Sequence, residues 1–202
     1  YLVMRFLEGG TLQEKMGQQG FSLHQTADLL VPICAALDYA HRQGIIHRDV
    51  KPSNVQVCAS GAIKLLDFGL AATISPGTLT TDQSLLGTVT YMAPERFQPD
   101  HPRADCRMDI YALGVIYYQL LTLRHPVTAP DLTSAIGQIV RGNFEDLRAL
   151  NPAIPPKTAE IVARCLAVEP SARFDSAEAL ADAVRAQTLV PRSGGGPLSP
   201  PV

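Results

Sequence analysis

Eight consecutive residues, His47-Arg48-Asp49-Val50-Lys51-Pro52-Ser53-Asn54, make a polar loop, and a hairpin-like segment separates it from the triplet Asp67-Phe68-Gly69. Two short apolar runs, Val55–Val57 and Ile63–Leu66, flank a turn at Ser60-Gly61 and read as paired strands. A hairpin returns its two ends to one place. Asn54, just before the first strand, is thereby brought towards Asp67, just after the second. A carboxylate and an amide oxygen with room left for phosphate and water suit Mg²⁺, which takes oxygen ligands and keeps several non-protein ones. Asp49 is free to face an attacking hydroxyl and to orient it or accept its proton. Lys51, one of four lysines among 17 basic residues, offers a mobile point charge for a phosphoryl group in transfer. His47 and Phe68 flank the polar loops with bulky rings and read as packing residues.

The rest of the chain narrows the setting. With 202 residues there is enough chain for one well-buried domain and a short tail. A net charge of −2 gives no electrostatic case for nucleic acid or an anionic membrane as partner. Cys34, Cys58, Cys106 and Cys165 are scattered without metal-ligand spacing, so small buried thiols are expected rather than a zinc site or disulfides. The longest apolar run, Ile110–Leu123, is 14 residues, too short to span a membrane and suited to a buried core helix.

Periodicity predicts a strand at Tyr1–Leu7, a turn at Glu8–Gly10, and a short helix capped by Thr11 that ends before Gly20. Ser22 with Gln25 forms a capping-box pattern for a long helix to about Gln43, stopped by Gly44 and kinked at Pro32. Leu23, Ala27, Leu30, Cys34, Leu37 and His41 lie along one face of it. From Leu70 to Thr90 no period survives, and a long loop is expected. Further helices are predicted at Met108–Thr122, Ala135–Arg141, Lys157–Ala167 and Ala177–Gln187, the last capped by Asp175 with Glu178. The tail 189–202 is rich in Pro and Gly and reads as a disordered linker after a domain spanning 1–188.

His47–Asn54 resembles the catalytic loop of protein kinases, Asp67-Phe68-Gly69 their metal-binding triplet, and Ala93-Pro94-Glu95 the end of their activation segment. Lys51, two residues after Asp49, and Gly87-Thr88 before Tyr91 match the Ser/Thr form. The resemblance runs from Tyr1 to about Gln187 and is closest to bacterial kinases of the eukaryotic type. It implies a protein-kinase-like fold: a mainly α-helical C-lobe with a short β-hairpin at the catalytic site, and no N-lobe beyond a hinge strand. It also implies ATP and Mg²⁺ as cofactors and protein Ser/Thr hydroxyls as acceptors. In that frame Asp49 is the catalytic base, Asn54 and Asp67 hold the metal, Lys51 meets the γ-phosphate, and Thr88 sits at the acceptor site. Met4 is the gatekeeper, backbone groups of Arg5 to Leu7 meet adenine, and Gln56 lies under the ring, where the family usually has an apolar residue. Asp109 braces the catalytic loop, and Arg173 pairs with Glu95.

Arg48 is implied to grip a phosphate on the activation loop, with Ser84, Thr80 and Thr81 as candidate phosphosites. The glycine-rich loop, the strand lysine and its glutamate partner have no counterpart before Tyr1, so these residues alone are expected to bind ATP poorly. Arg5 stands where Glu is common, with little consequence expected because adenine contacts there are mainly from backbone. The resemblance places the chain in the cytoplasm, either free or as part of a membrane-anchored kinase, with a kinase dimer as an expected assembly. Two other readings compete. A non-catalytic pseudokinase scaffold is opposed by the intact Asp49, Lys51, Asn54 and Asp67. A small-molecule phosphotransferase is opposed by Ala93-Pro94-Glu95 and Gly87-Thr88.

Overall fold

A computed structural model describes residues 7–17, 20–68, 83–98 and 105–188. Met4, Arg5 and the strand expected around them, Thr80, Thr81, Gly69 and the tail 189–202 lie outside the described residues. The fold is mainly helical with one small antiparallel sheet, as the sequence led us to expect.

The sheet has three strands in the order β1 (Gly9–Thr11), β2 (Val55–Cys58) and β3 (Ile63–Leu65). β2 and β3 are the anticipated hairpin, with Val55 opposite Leu65 and Val57 opposite Ile63. β1 was expected to be a turn; it instead pairs Gly9 with Cys58 and Thr11 with Gln56. Gly9 permits this approach: its φ is +127°, and a Cβ there would stand 2.2 Å from the Val57 carbonyl oxygen.

Helix α1 (Leu12–Met16) starts at Thr11, whose hydroxyl accepts from Glu14 N at 3.2 Å while the Glu14 carboxylate accepts from Thr11 N at 2.9 Å. The same reciprocal cap, Ser22 with Gln25, opens α2 (Leu23–Arg42). Helix α2 stays helical through Pro32. It stops at Gly44, whose φ of +74° a side chain would resist. Its apolar face is buried at Ala27, Leu30, Ile33, Cys34 and Leu37.

Helix α3 (Gln83–Val89) occupies part of the segment expected to be a loop. Gly87 and the β-branched Thr88 and Val89 give it weak intrinsic propensity. Packing favours it instead: Val89 is fully buried and Leu86 rests against the core.

Helix α4 (Arg107–Thr122) runs through the middle of the molecule, with Ile110, Tyr111, Leu113, Val115 and Ile116 all inaccessible to solvent. Burying each such side chain stabilises the fold by about 1.5–3 kcal/mol, which explains why the most apolar run of the chain is central. Around it lie α5 (Leu132–Arg141), α6 (Leu147–Leu150), α7 (Pro156–Cys165) and α8 (Ala177–Thr188). Gly114 lets α7 close on α4, since a Cβ at Gly114 would lie 2.5 Å from Cys165 Cβ. The cap of α8 is Ser176, whose hydroxyl accepts from Ala179 N at 3.0 Å. The expected cap, Asp175, is drawn away by Arg107, which donates to its carboxylate. All four cysteines are free, and burial pushes the Cys34 thiol up to about 12.

Candidate active site

The hairpin sets the two halves of the polar constellation side by side. Leu66 N donates to Asn54 O at 2.9 Å, one step beyond the Val55–Leu65 pair, so Asp67 leaves the sheet next to Asn54. Between α2 and β2 the loop carrying Asp49 has a single 3-10 turn at Pro52–Asn54, and Asp109 at the start of α4 holds the part before it. Its Oδ2 accepts from His47 N at 2.9 Å and its Oδ1 from Arg48 N at 2.8 Å. His41 on α2 donates from Nε2 to Oδ2 at 2.8 Å. Asp109 is 1% exposed, so these three donors replace water around a buried carboxylate.

Two residues here stand in the left-handed region that favours glycine: Arg48 with φ +67° and Asp67 with φ +59°. Each such conformation costs on the order of 1–3 kcal/mol and persists only where the surroundings enforce it. For Arg48 the enforcing contact is the bond from its own N–H to Asp109.

Asp49 is gripped from two sides. Lys51 Nζ lies 2.9 Å from its Oδ2. Asn54 Nδ2 donates to the same oxygen at 2.9 Å and to the Asp49 carbonyl at 2.8 Å. Lys51 also donates to the Thr88 hydroxyl at 3.2 Å, so it spans Asp49 and Thr88. Thus Asp49, Lys51, Asn54 and Thr88 form one connected set, in which Lys51 and Thr88 meet across 37 positions of sequence.

The donor set fits a hard cation. Both bonds to Asp49 use the amide nitrogen of Asn54, which leaves Oδ1 as the free end of that side chain. Asp67 is exposed. One amide oxygen and one carboxylate, with no sulfur or imidazole competing, suit Mg²⁺ better than a transition metal.

His47 is fully buried and its ring is fixed at both nitrogens. Asp49 N donates to Nδ1 at 3.3 Å, so the ring proton sits on Nε2, which donates to Leu66 O at 2.9 Å. The histidine therefore ties the loop to the end of the hairpin. Phe68 packs against His47, their ring centroids 4.4 Å apart, and is 37% exposed. Gln56 is buried and its Nε2 donates to Leu7 O at 3.3 Å, which ties β2 to the start of the described chain.

Glu95 meets Arg173 as expected. The guanidinium uses all five of its N–H donors: two on the Glu95 carboxylate, and one each on the carbonyls of Ala167, Arg107 and Val168. It also lies 5.0 Å from the ring of Tyr111. Arg48 is exposed, and its carbonyl accepts from Arg96 Nη1 at 2.8 Å. Ser84 lies in α3.

Sequence reasoning gave His41 no role beyond a helix face and passed over Arg96 altogether. The available signal for His41 was a polar ring on the buried stripe of α2. Arg96 carried none, because its partner, the Arg48 carbonyl, is a backbone atom 48 residues away.

The protein kinase domain family matches residues 1–184. Among curated relatives, the chain is 36% identical over 181 residues to the serine/threonine-protein kinase PknL of Mycobacterium tuberculosis, covering 89% of this chain and 45% of that protein. It is 34% identical over 180 residues to the serine/threonine-protein kinase PrkC of Bacillus subtilis, covering 88% of this chain and 27% of that protein. With the serine/threonine-protein kinase PknB of Mycobacterium tuberculosis it shares 34% identity over 189 residues, 92% of this chain and 30% of that protein. The chain thus spans less than half the length of these relatives.

Proposed function

This chain belongs to the protein kinase family, and we propose that it supplies the catalytic and acceptor-binding half of an enzyme that moves the γ-phosphoryl group of ATP to protein serine and threonine hydroxyls. The observation that carries this reading is the connected set Asp49–Lys51–Thr88, with Asn54 closing it from the other side. Asp49 orients the acceptor hydroxyl and takes its proton, and the bonds from Lys51 and Asn54 keep its carboxylate aimed. Lys51 holds a cation between the base and Thr88, where negative charge accumulates during transfer. Thr88 fixes the end of Lys51 and lines the place of the incoming hydroxyl. Asn54 Oδ1 and the Asp67 carboxylate would hold Mg²⁺. When bound, the metal neutralises charge on the phosphate oxygens.

Adenine recognition is assigned to Met4, Arg5 and Leu7, with Gln56 below the ring. Phosphorylation of Ser84, Thr80 or Thr81, gripped by Arg48, orders the activation segment. These 202 residues bind ATP weakly unless a lobe with a glycine-rich loop and a strand lysine covers the nucleotide. The reaction is placed in the cytoplasm, and a kinase dimer is the expected assembly. Among the described residues no helix is long and apolar enough to cross a membrane.

The test is to incubate labelled Mg·ATP and a generic protein acceptor with this chain, and with a version extended by whatever its gene encodes upstream, followed by phosphoamino-acid analysis. Phosphoserine and phosphothreonine are expected, with the extended form far the more active. If the extended protein folds with a complete upper lobe and yields no label, the scaffold reading replaces the catalytic one.

A further inference from the structure

His125, in the chain that follows α4, stands outside the cleft beside Asp49 yet packs on one of its walls. Asp49, Thr88 and Tyr91 are among the residues lining that cleft, and the centroid of the Tyr91 ring lies 5.1 Å from that of His125 at an interplanar angle of 86°. In such a T-shaped pair the edge of one ring meets the face of the other, and the attraction depends on keeping that orientation. Val127 N donates to His125 Nδ1 at 3.0 Å, so the ring proton sits on Nε2, a buried nitrogen with no hydrogen-bond partner among the described residues. Burial pulls the pKa of the ring down from 6.5 to about 4, so it is uncharged near neutrality.

Tyr91 is held at three points. Its hydroxyl donates to Gln119 Oε1 on α4 at 2.8 Å, its ring meets His125, and its own N–H donates to the Thr88 carbonyl at 3.2 Å. Burial pushes the phenol up to about 12, so the hydroxyl keeps its proton for Gln119. Thr88 in turn accepts from Lys51, which pairs with Asp49. Thr88 lies in the last turn of α3, a helix of weak intrinsic propensity, so its place depends on such outside contacts. Gln119 fixes only the tip of the tyrosine, and a bond to the hydroxyl alone leaves the ring free to turn about it. The contact with His125 removes that freedom. His125 thus stands at the end of a run of direct contacts, His125–Tyr91–Thr88–Lys51–Asp49, that leads from behind the cleft wall to the base.

We propose that His125 is a positioning residue for the protein acceptor, holding the Tyr91 ring so that Thr88 stays against Lys51 at the place of the incoming hydroxyl. The inference rests on the kinase reading and deepens it. Its contacts run through the wall on the acceptor side and not through Asn54 or Asp67. Loss of the ring therefore weakens use of the acceptor and leaves use of the nucleotide alone. Small displacements suffice, since a misplacement of about 1 Å can cost on the order of 10²-fold.

Two substitutions separate the ring from the turn it sits in. His125→Phe keeps a ring for Tyr91 and loses the acceptor for Val127 N, whereas His125→Asn keeps that acceptor and loses the ring. Both are made in the chain extended by whatever its gene encodes upstream, checked for native circular dichroism, and assayed with Mg·ATP and dephosphorylated casein. The KM for casein should rise about tenfold in His125→Asn and stay near the wild-type value in His125→Phe, with the KM for ATP unchanged in both. Exchange of the Tyr91 amide, which needs no nucleotide, should quicken in His125→Asn and not in His125→Phe. Either variant decides alone if the other fails to fold. A folded His125→Phe with a raised casein KM, or a folded His125→Asn with the wild-type value, would overturn the proposal. Equal rises in the two KM values, the mark of a general loosening, would overturn it too. Should no form label casein while the Tyr91 amide still separates the variants, the kinase reading falls and the positioning of Tyr91 by His125 stands.

Discussion

Arg173 closes on Glu95 with two parallel bonds of 2.7 Å, in a place where the guanidinium has no exposure to solvent and the carboxylate 8%. The pair ties the end of the activation segment to the chain between α7 and α8. A buried ion pair is weak evidence for net stability, but removing one partner leaves the other charged and unmatched. Glu95→Gln is therefore expected to cost about 3–5 kcal/mol, read as a lowered urea midpoint with an unchanged slope. A loss below about 1 kcal/mol, the range of exposed pairs, would show that the guanidinium finds water instead.

Asp109 offers a second test of the same kind. Its two oxygens accept three bonds, from His41, His47 N and Arg48 N. Asparagine at 109 turns one of those acceptors into a donor facing a donor. Asp109→Asn should destabilise by about 2–4 kcal/mol, as expected when buried donors lose charged partners. Amide exchange should rise first at His47 and Arg48. Unchanged protection at those two amides would contradict the bracing role.

Tyr111 is fully buried, and its hydroxyl has no hydrogen-bond partner among the described residues. The ring lies near the Arg173 guanidinium, and that contact survives loss of the oxygen. Tyr111→Phe should leave stability unchanged or raise it by up to about 1–2 kcal/mol. A marked fall in the thermal midpoint would mean that the hydroxyl has a bound water as partner.

The two halves of the site were legible because they are local. His47–Asn54 and Asp67-Phe68-Gly69 are separated by one hairpin, and a period of two with a Ser-Gly turn suffices to place them together. The caps at Thr11 and Ser22 were legible for the same reason, since both partners lie within three residues. Helix α3 was not, because its stability comes from Val89 and Leu86 reaching the core rather than from its own sequence. The cap of α8 was misread because Arg107, distant in sequence, competes for Asp175. Arg96 and His41 act on partners that only the tertiary fold brings near. Glu95 with Arg173 is equally distant and was reached through the family resemblance alone.

His125 gives the fold a pH dependence. Val127 N donates to its Nδ1 at 3.0 Å, its buried Nε2 has no partner among the described residues, and burial pulls its pKa down from 6.5 to about 4. The folded state thus prefers the neutral ring, and the unfolded chain binds the extra proton between those two values. Stability from this group is complete above pH 6.5 and is lost progressively as the pH falls towards 4. The loss should be on the order of 1–3 kcal/mol after allowance for solvent screening. Urea midpoints between pH 7.5 and 4 should fall less steeply in His125→Asn, whose amide oxygen can still accept from Val127 N. Identical slopes for the two proteins would contradict this assignment.

The central claim is that Asp49 is the base of a phosphoryl transfer, and initial rates with Asp49→Asn test it most directly. Wild type and variant, each carrying whatever lobe the gene encodes upstream, are compared at saturating Mg·ATP, with nucleotide binding measured separately. Asparagine can still meet Lys51 but cannot take a proton. The account predicts a fall in kcat of roughly 10²–10⁴-fold with nucleotide affinity little changed. A variant that transfers phosphate at the wild-type rate would contradict it.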